Sequence, residues 1–288
     1  MKFYIVDVFA ENKYEGNQLA VLVPDDELTP ETMLKIAHEI NFSETTFITS
    51  GKKENGGYDV RIFTPDVEVP FAGHPTLGTA YVIVRMLEAE RNSKVILNLE
   101  VGEIPVTIEA GVLTMEQKEP EFGLVIKDHQ LVADMLKIKP EDIAGDYPVQ
   151  IVSTGLPCMV IPLGTIEAVE RCVVNHELFQ DFIDNTYKCN LLVFCPEPKC
   201  DNALRVRVFV DDEGFAEDAA TGSANGNLAG YLLKYNYFGK NEIKYEVNQG
   251  EQIGRPSLLK ISAELTEGRY KIRVGGKVHL VAEGNWHL

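Results

Sequence analysis

A glutamate between a predicted helix and a predicted strand has the best setting for proton transfer in this sequence. Glu44 follows a helix expected to end near Asn41 and precedes the β-branched segment 45–49. Burial beside Phe42 and Phe47 would raise the pKa of its carboxyl group toward neutrality, because burial disfavours the charged form. The alternative is that either aromatic residue points into the core instead. Most glutamates are exposed surface residues. In this setting, however, Glu44 is a candidate general acid and base, able to take a proton and return it.

Two predicted apolar helices each begin at a glycine in a polar loop, and the first residues are Gly73-His74 and Gly222-Ser223. The free N–H groups of a helix N-terminus carry about half a positive charge. Such a start binds anions and can stabilise an enolate-like charge during proton abstraction. We therefore expect both starts to face one cleft that binds a small carboxylate. His74 is expected to be a neutral imidazole, because the helix dipole disfavours its charged form.

A third candidate residue is Asp218, which lies four residues before Gly222. It would cap the helix in the ordinary interpretation, or contact the substrate or His74 in a functional one, and both stay open here. The sequence contains no H-E-x-x-H, no G-x-S-x-G and no dinucleotide-binding glycine fingerprint. The five cysteines lack zinc-site spacing. We therefore predict neither a metal nor an organic cofactor.

The composition excludes several classes of partner. The 288 residues carry a formal net charge of −17, which would repel nucleic acid and anionic membrane surfaces. No apolar tract is long enough for a transmembrane helix, and the segment 1–8 is typical of a strand rather than a secretion signal. An odd number of cysteines argues against a disulfide framework. We expect a cytoplasmic protein that acts on a small anionic metabolite.

The elements that would position these residues occur twice along the chain. Arg61-Ile62-Phe63 corresponds to Arg207-Val208-Phe209, and each segment is followed by a loop and then by one of the two glycine-started helices. A repeat near 145 residues indicates duplication rather than a solenoid. We predict half-domains at 1–118 and 124–275, joined by a linker at 119–123, with the strand near 276–288 packing back onto the first. Thr29 and Pro30 should begin a helix with an apolar stripe, and a helix is expected at 77–87.

Six motifs closely resemble those of the PhzF-like phenazine-biosynthesis family. They occur in the expected order, and the resemblance covers nearly the whole chain. The matching segments are 16–21, 41–47, 61–65, 70–75, 153–157 and 217–224.

The resemblance implies an α+β chain with the diaminopimelate epimerase-like fold, in which two pseudo-symmetric half-domains each roll a sheet around a central helix. It also implies a homodimer and a cofactor-independent isomerase that shifts a proton within a dihydro-hydroxyanthranilate-like substrate. Matched by motif, the catalytic residues would be Glu44, His74 and Asp218, and the substrate-binding residues Ser43, Gly73, Gly222 and Ser223.

Two alternatives remain beside this isomerase. One is a one-base racemase or epimerase of a small amino acid, and the other is a binding protein without turnover. Related amino-acid epimerases use a pair of cysteines just before the two helix starts, whereas this sequence has Ala72 and Thr221 there. Two-thiol epimerisation is therefore not available to this chain.

Overall fold

The computed structural model describes residues 1–88, 92–198, 200, 202–210 and 217–288. The chain forms two compact units, residues 1–116 with 275–288, and residues 117–274. None of the helices in the described ranges is both long and apolar enough to cross a membrane.

The first unit is a mixed sheet with one helix on its surface and one in its interior. Its strands are β1 (Lys2–Val8), β2 (Asn17–Val23), β3 (Thr45–Ile48), β4 (Gly57–Phe63), β5 (Glu68–Val69), β6 (Lys94–Leu99), β7 (Gly102–Glu109), β8 (Val112–Glu116) and, from the end of the chain, β18 (Val278–Asn285). β1 lies between β18 and β2, and the ladder then continues through β3 and β4. β5 and β6 both pair with β4, and β6 leads on to β7 and β8.

Helix α1 (Pro30–Ile40) covers the outer face of this sheet, and its bounds confirm the predicted cap and stripe. The Thr29 side chain accepts a hydrogen bond from the Thr32 N–H, Pro30 occupies the first turn, and Asn41 ends the helix in the left-handed conformation. Its buried face packs on Phe47 and Phe63. Phe42 packs against the same cluster. Both aromatic residues flanking Glu44 therefore pack in the α1 core, which is one of the two possibilities that the sequence left open.

Helix α2 (Gly73–Val82) is buried on nearly every side. A helix that is apolar all round requires such enclosure. A Cβ at Gly78 would lie 2.5 Å from Leu19 Cδ2, so the missing side chain lets the helix approach the sheet closely. Thr79 shares a buried 2.8 Å hydrogen bond with Thr46 of β3. The α-helix ends at Val82, and the chain continues as a π-helical turn from Ile83 to Leu87. The helical run predicted to reach residue 87 is therefore confirmed in extent, although its last turn is not α-helical.

The second unit repeats this order of pairings with more helices. Its antiparallel pairs, parallel pairs and paired short strand follow the same sequence as in the first unit. Its strands are β9 (Glu121–Ile126), β10 (Val149–Ser153), β11 (Pro157–Pro162), β12 (Asn190–Pro196), β13 (Ala203–Phe209), β14 (Glu217–Asp218), β15 (Glu242–Gln249), β16 (Ser257–Thr266) and β17 (Arg269–Gly276). Its helices are α3 (His129–Leu136), α4 (Ile166–Arg171), α5 (His176–Asn185) and the buried α6 (Gly222–Lys234). Part of the predicted linker, Glu121 to Gly123, lies in β9.

An arginine–glutamate fork recurs at the same place in the two units. Arg61 Nε and Nη2 donate to Glu68 at 2.7 and 2.6 Å, and Arg207 Nε and Nη2 donate to Glu217 at 2.9 and 2.7 Å. Each guanidinium also stacks over the phenylalanine two residues on. The two forks differ in burial. The side chains are 30% and 33% exposed in the first unit, but 8% and 8% in the second.

This contrast predicts unequal stability losses for the same substitution in the two units. Glu217→Gln should lower the free energy of unfolding by about 3–5 kcal/mol, because it leaves a buried guanidinium without its counter-charge. The matched change Glu68→Gln should cost at most about 1 kcal/mol, since that pair is partly solvated. Urea unfolding followed by circular dichroism measures both. Equal losses would show that the burial of the second fork has no energetic consequence.

Candidate active site

The structure brings two predicted catalytic residues together at the start of α2. Glu44 immediately precedes β3, and His74 is the second residue of the helix. The Glu44 Oε2 atom lies 3.6 Å from His74 Nε2, with side-chain exposures of 20% and 5%. This separation is slightly longer than a hydrogen bond. The carboxylate therefore lies beside an almost fully buried imidazole while still reaching solvent.

Hydrogen bonds with Asn17 and Gln18, the first two residues of β2, fix the tautomer of His74. Asn17 Nδ2 lies 3.2 Å from His74 Nδ1, and the Gln18 carbonyl oxygen lies 3.3 Å from His74 Nε2. An amide NH₂ group only donates and a carbonyl oxygen only accepts. Nδ1 therefore accepts and Nε2 carries the proton in a neutral ring. The N–H edge faces both the Gln18 carbonyl and the Glu44 carboxylate.

Two buried hydroxyl groups flank Glu44 without hydrogen-bond partners. They are Ser43 Oγ and Thr45 Oγ1. An unsatisfied buried polar group costs about 1–3 kcal/mol. Ser43 was predicted to bind substrate, and its unused donor is available for that role.

The buried helices of both units begin without a side-chain cap. Ala72 and Thr221 are the N-cap residues of α2 and α6, and neither side chain accepts from the first helical turn. Neither first turn contains an acidic residue. Of the other α-helices, α1, α3 and α4 are capped by Thr29, Asp128 and Thr165, whereas α5 also lacks a side-chain cap. The N–H groups near Gly73 and Gly222 thus form uncapped helix starts, which favour a bound anion.

In the second unit, Asp218 is part of a hydrogen-bond network at the start of α6. Its carboxylate accepts the Thr221 hydroxyl at 2.6 Å. Gln249, fully buried, donates to the Asp218 carbonyl and to Thr221 Oγ1, and it accepts from the Thr221 N–H and from Asn225. Asp218 binds the hydroxyl of the N-cap residue and does not itself occupy the cap position, so the simple capping interpretation is wrong. Ser223, the second residue of α6, is buried.

Three residues of these networks, Asn17, Thr221 and Gln249, are not predicted from the sequence. Asn17 was assigned only to a turn, although its position directly after Gly16 offered a signal. A Cβ at Gly16 would lie 2.3 Å from the Val8 carbonyl oxygen, and its φ is +70°, so the turn that presents Asn17 requires glycine. Thr221 was considered only as a replaced cysteine. Gln249 lies 28 residues after Thr221 along the chain, and no local pattern links the two.

None of the five cysteines belongs to α2 or α6 or to the residues just before these helices. Burial raises the pKa of the thiols of Cys158, Cys172, Cys189 and Cys195 to about 12. Cys200 is exposed, and all five are free thiols. Within the described ranges, no group of three or more histidine, cysteine or acidic side chains is arranged to hold a metal ion.

Comparisons with known proteins identify the family. The model of the phenazine biosynthesis-like family matches residues 6–284. The trans-2,3-dihydro-3-hydroxyanthranilate isomerase of Pseudomonas aeruginosa is 31% identical, over 100% of this chain and 99% of its own length. The crystal structure of a PhzF-family protein from Bacillus anthracis has a TM-score of 0.91 at 23% identity, covering 100% of this chain and 99% of its own. A probable proline racemase from Agrobacterium radiobacter shares the fold more distantly, with a TM-score of 0.68 at 9% identity and coverages of 100% and 93%.

The chain therefore belongs to the phenazine biosynthesis-like, or PhzF, family. Its fold is the predicted diaminopimelate epimerase-like α+β architecture, with a sheet rolled around a central helix in each unit.

The hydrogen bond from Asn17 predicts a measurable histidine tautomer. Long-range ¹H–¹⁵N correlation spectra should show His74 protonated at Nε2 in the wild-type protein. Asn17→Asp replaces the donor by an acceptor, so Nδ1 should gain a proton. Turnover should then fall by about 10- to 100-fold, as is usual when an orienting partner is changed. Asn12→Asp, on an exposed loop, is the control. An Nδ1–H ring in the wild-type protein would contradict the assignment.

The burial of four thiols predicts selective labelling. At pH 8, a thiol with a pKa near 12 is ionised to roughly one part in 10⁴, and only the thiolate reacts. Ellman's reagent should modify one cysteine rapidly in the native protein, and the other four only after unfolding. Cys200→Ser should abolish the rapid phase. Rapid reaction of a second thiol in the folded variant would show that the four remaining thiols are not all buried.

Proposed function

We propose that this protein is an isomerase that moves a proton between two carbons of a small, carboxylated, partly unsaturated substrate of the dihydro-hydroxyanthranilate class, with Glu44 as the general acid and base. The observation that carries the proposal is the Glu44 carboxylate, 3.6 Å from a buried His74 at the uncapped start of α2. The named activity of the Pseudomonas aeruginosa relative, which aligns over the whole chain, supports the same reaction class.

The uncapped helix start supports binding of the substrate carboxylate. The first N–H groups of α2 need an acceptor, and a carboxylate fits both their geometry and the helix dipole. Ser43 Oγ, buried and without a partner, offers a further hydrogen bond. In the second unit, the start of α6 is likewise uncapped. Asp218 there stays a proposed catalytic group, and Gly222 and Ser223 stay proposed substrate-binding groups.

The proposed reaction transfers one proton and needs no redox partner. Glu44, ionised, takes a proton from a substrate carbon, and the electron pair left behind delocalises into the adjacent unsaturated system. Glu44, now neutral, returns that proton to a second carbon, so the double bond shifts and the enzyme regains its starting state. His74, with Nε2–H toward Glu44, stabilises the ionised carboxylate. Each step uses side chains of this protein alone, so we propose that activity is independent of metal and organic cofactor.

A one-base epimerase is less well supported than this isomerase. The N-cap residues of the two buried helices, Ala72 and Thr221, cannot act as acids or bases at neutral pH. Glu44 is thus a single acid–base group, which suits a proton that leaves and returns on one face of the substrate. A homodimer in the cytoplasm remains our expectation for the assembly.

The role of Glu44 predicts a separation of turnover from binding. Glu44→Gln keeps the shape of the side chain and removes the base, so turnover of trans-2,3-dihydro-3-hydroxyanthranilate should fall by roughly 10²–10⁴. Binding measured by calorimetry should change by no more than a few-fold. Glu44→Asp should retain a trace of activity, because the carboxylate survives but is withdrawn by one methylene. Glu39→Gln, on the exposed side of α1, is the matched control.

Nuclear magnetic resonance in deuterated water distinguishes the alternatives in the same experiment. An isomerase incorporates deuterium at a new carbon, an epimerase incorporates it with inversion, and a binding protein incorporates none. Addition of EDTA should leave the rate unchanged. If Glu44→Gln isomerised the substrate at nearly the wild-type rate, the proposed role of Glu44 would be refuted, and Asp218 would be the next candidate base.

A further inference from the structure

A pocket of about 460 Å³ opens in the first unit where one edge of β4 lacks a strand partner. On this edge β6 pairs with Gly57, Tyr58 and Asp59, while β5 pairs with Ile62 and Phe63. The opposite edge of β4 is occupied by β3 and by the Thr49 N–H, which donates to the Asp59 carbonyl. Between β5 and β6, the β4 residues Val60 and Arg61 face a gap in the described sheet, and both line the pocket.

Comparison with the duplicated unit shows that Arg61 has an unused donor. In the second unit, Arg207 Nη1 donates to the backbone carbonyls of Val169, Glu170 and Cys172, at the end of α4. Arg61 has the same fork to its glutamate and the same stacking on phenylalanine. No described residue accepts a hydrogen bond from Arg61 Nη1. The Arg61 side chain is also 30% exposed, so this edge of the guanidinium is accessible.

The charges around the pocket favour a ligand that carries both signs. Glu68 already neutralises Arg61, and Glu100 and Glu31 also interact with it electrostatically. Glu100 lines the pocket, is exposed, and has no hydrogen bond or ion pair with another described residue. A simple anion would be repelled by this excess of carboxylates, and a simple cation would leave Arg61 Nη1 unused. A zwitterion satisfies both groups.

We propose that this pocket binds a small zwitterionic α-amino acid with an apolar side chain. The ligand carboxylate accepts from Arg61 Nη1, its ammonium group lies toward Glu100, and its side chain packs on Val60, Val69 and Leu99, which also line the pocket. The volume is within the range of about 300–1,000 Å³ typical of small-molecule sites.

The pocket is separate from the Glu44–His74 pair. Glu44 precedes the first residue of β3, whereas Thr49, which lines the pocket, follows the last. Five residues of extended chain span about 16 Å. An amino acid bound here therefore leaves Glu44 accessible, and this inference does not depend on the proposed reaction.

Calorimetric titration with L-leucine and L-valine tests the proposal. Saturable binding is expected, and N-acetyl-L-leucine and L-leucinamide, which each lack one charge, should bind at least tenfold more weakly. Arg61→Gln and Glu100→Gln should each weaken L-leucine binding at least tenfold. Glu109→Gln, a matched exposed glutamate on β7, should have no effect. Arg61→Lys, which keeps the charge but loses the fork, should weaken binding too, with thermal melting reporting that each variant is folded.

The Glu44→Gln variant tests whether this pocket is distinct from the proposed active site. Its affinity for L-leucine should equal that of the wild-type protein, whatever its effect on turnover. Three outcomes would overturn the proposal. They are the absence of saturable binding by the wild-type protein, equal binding of the acetylated or amidated ligand, and a loss of binding in Glu44→Gln that Arg61→Gln does not show.

Discussion

The first turn of a helix has N–H groups that no carbonyl of the helix accepts, and each unit encloses one such helix in its sheet. α2 and α6 are the two helices buried on nearly every side, and both begin without a side-chain cap. The surface helix α1 has no such need, yet it carries a threonine cap. An uncapped start on a buried helix is favourable when an anion supplies the missing acceptors. Rolling the sheet around the helix thus creates donors whose natural partner is a ligand.

The two units share this arrangement but differ in the groups beside it. The second residue is His74 in α2 and Ser223 in α6, so only the first helix start carries a titratable ring. Asn17 fixes the tautomer of that ring. The corresponding region of α6 is instead held by Asp218, Thr221 and Gln249, through hydrogen bonds that need no proton transfer. Duplication has therefore provided two uncapped helix starts, of which one lies beside a glutamate–histidine pair.

The parts of the fold that could be predicted are those governed by local rules. The cap at Thr29 and the apolar stripe after it gave α1 its correct bounds, and the paired Arg-x-Phe segments revealed the duplication. The remaining features of the fold depend on contacts between segments that are distant in the sequence. Phe47 alternates with Thr46 along β3, so one side chain packs on α1 and the other bonds to Thr79 of α2. Glu44 precedes β3 and lies beside His74 at the start of α2, whereas Phe42 and Phe47 pack in the α1 core.

The helices between β9 and β12 were not predicted, for two different reasons. α4 has only six residues, too few to display a periodic pattern. α3, in contrast, has a capping aspartate at Asp128 and buried residues at helical spacing, so the signal was present but was not used. The π-helical turn after Val82 has no sequence signature that a count of apolar residues could reveal.

Several buried polar side chains among the described residues have no hydrogen-bond partner, and some of them lie near the starts of the buried helices. Seven buried side-chain atoms in the described ranges lack hydrogen-bond partners, and two of them, Ser43 Oγ and Thr45 Oγ1, flank Glu44. A third, Asn225 Oδ1, lies in the first turns of α6. Each costs about 1–3 kcal/mol in the free protein, and folding must supply that cost through the core around them. A ligand that reaches such a group recovers the cost on binding, because the donor is already desolvated and oriented. The packing of α1, α2 and the sheet thus stabilises an arrangement of polar groups that would be unfavourable by itself.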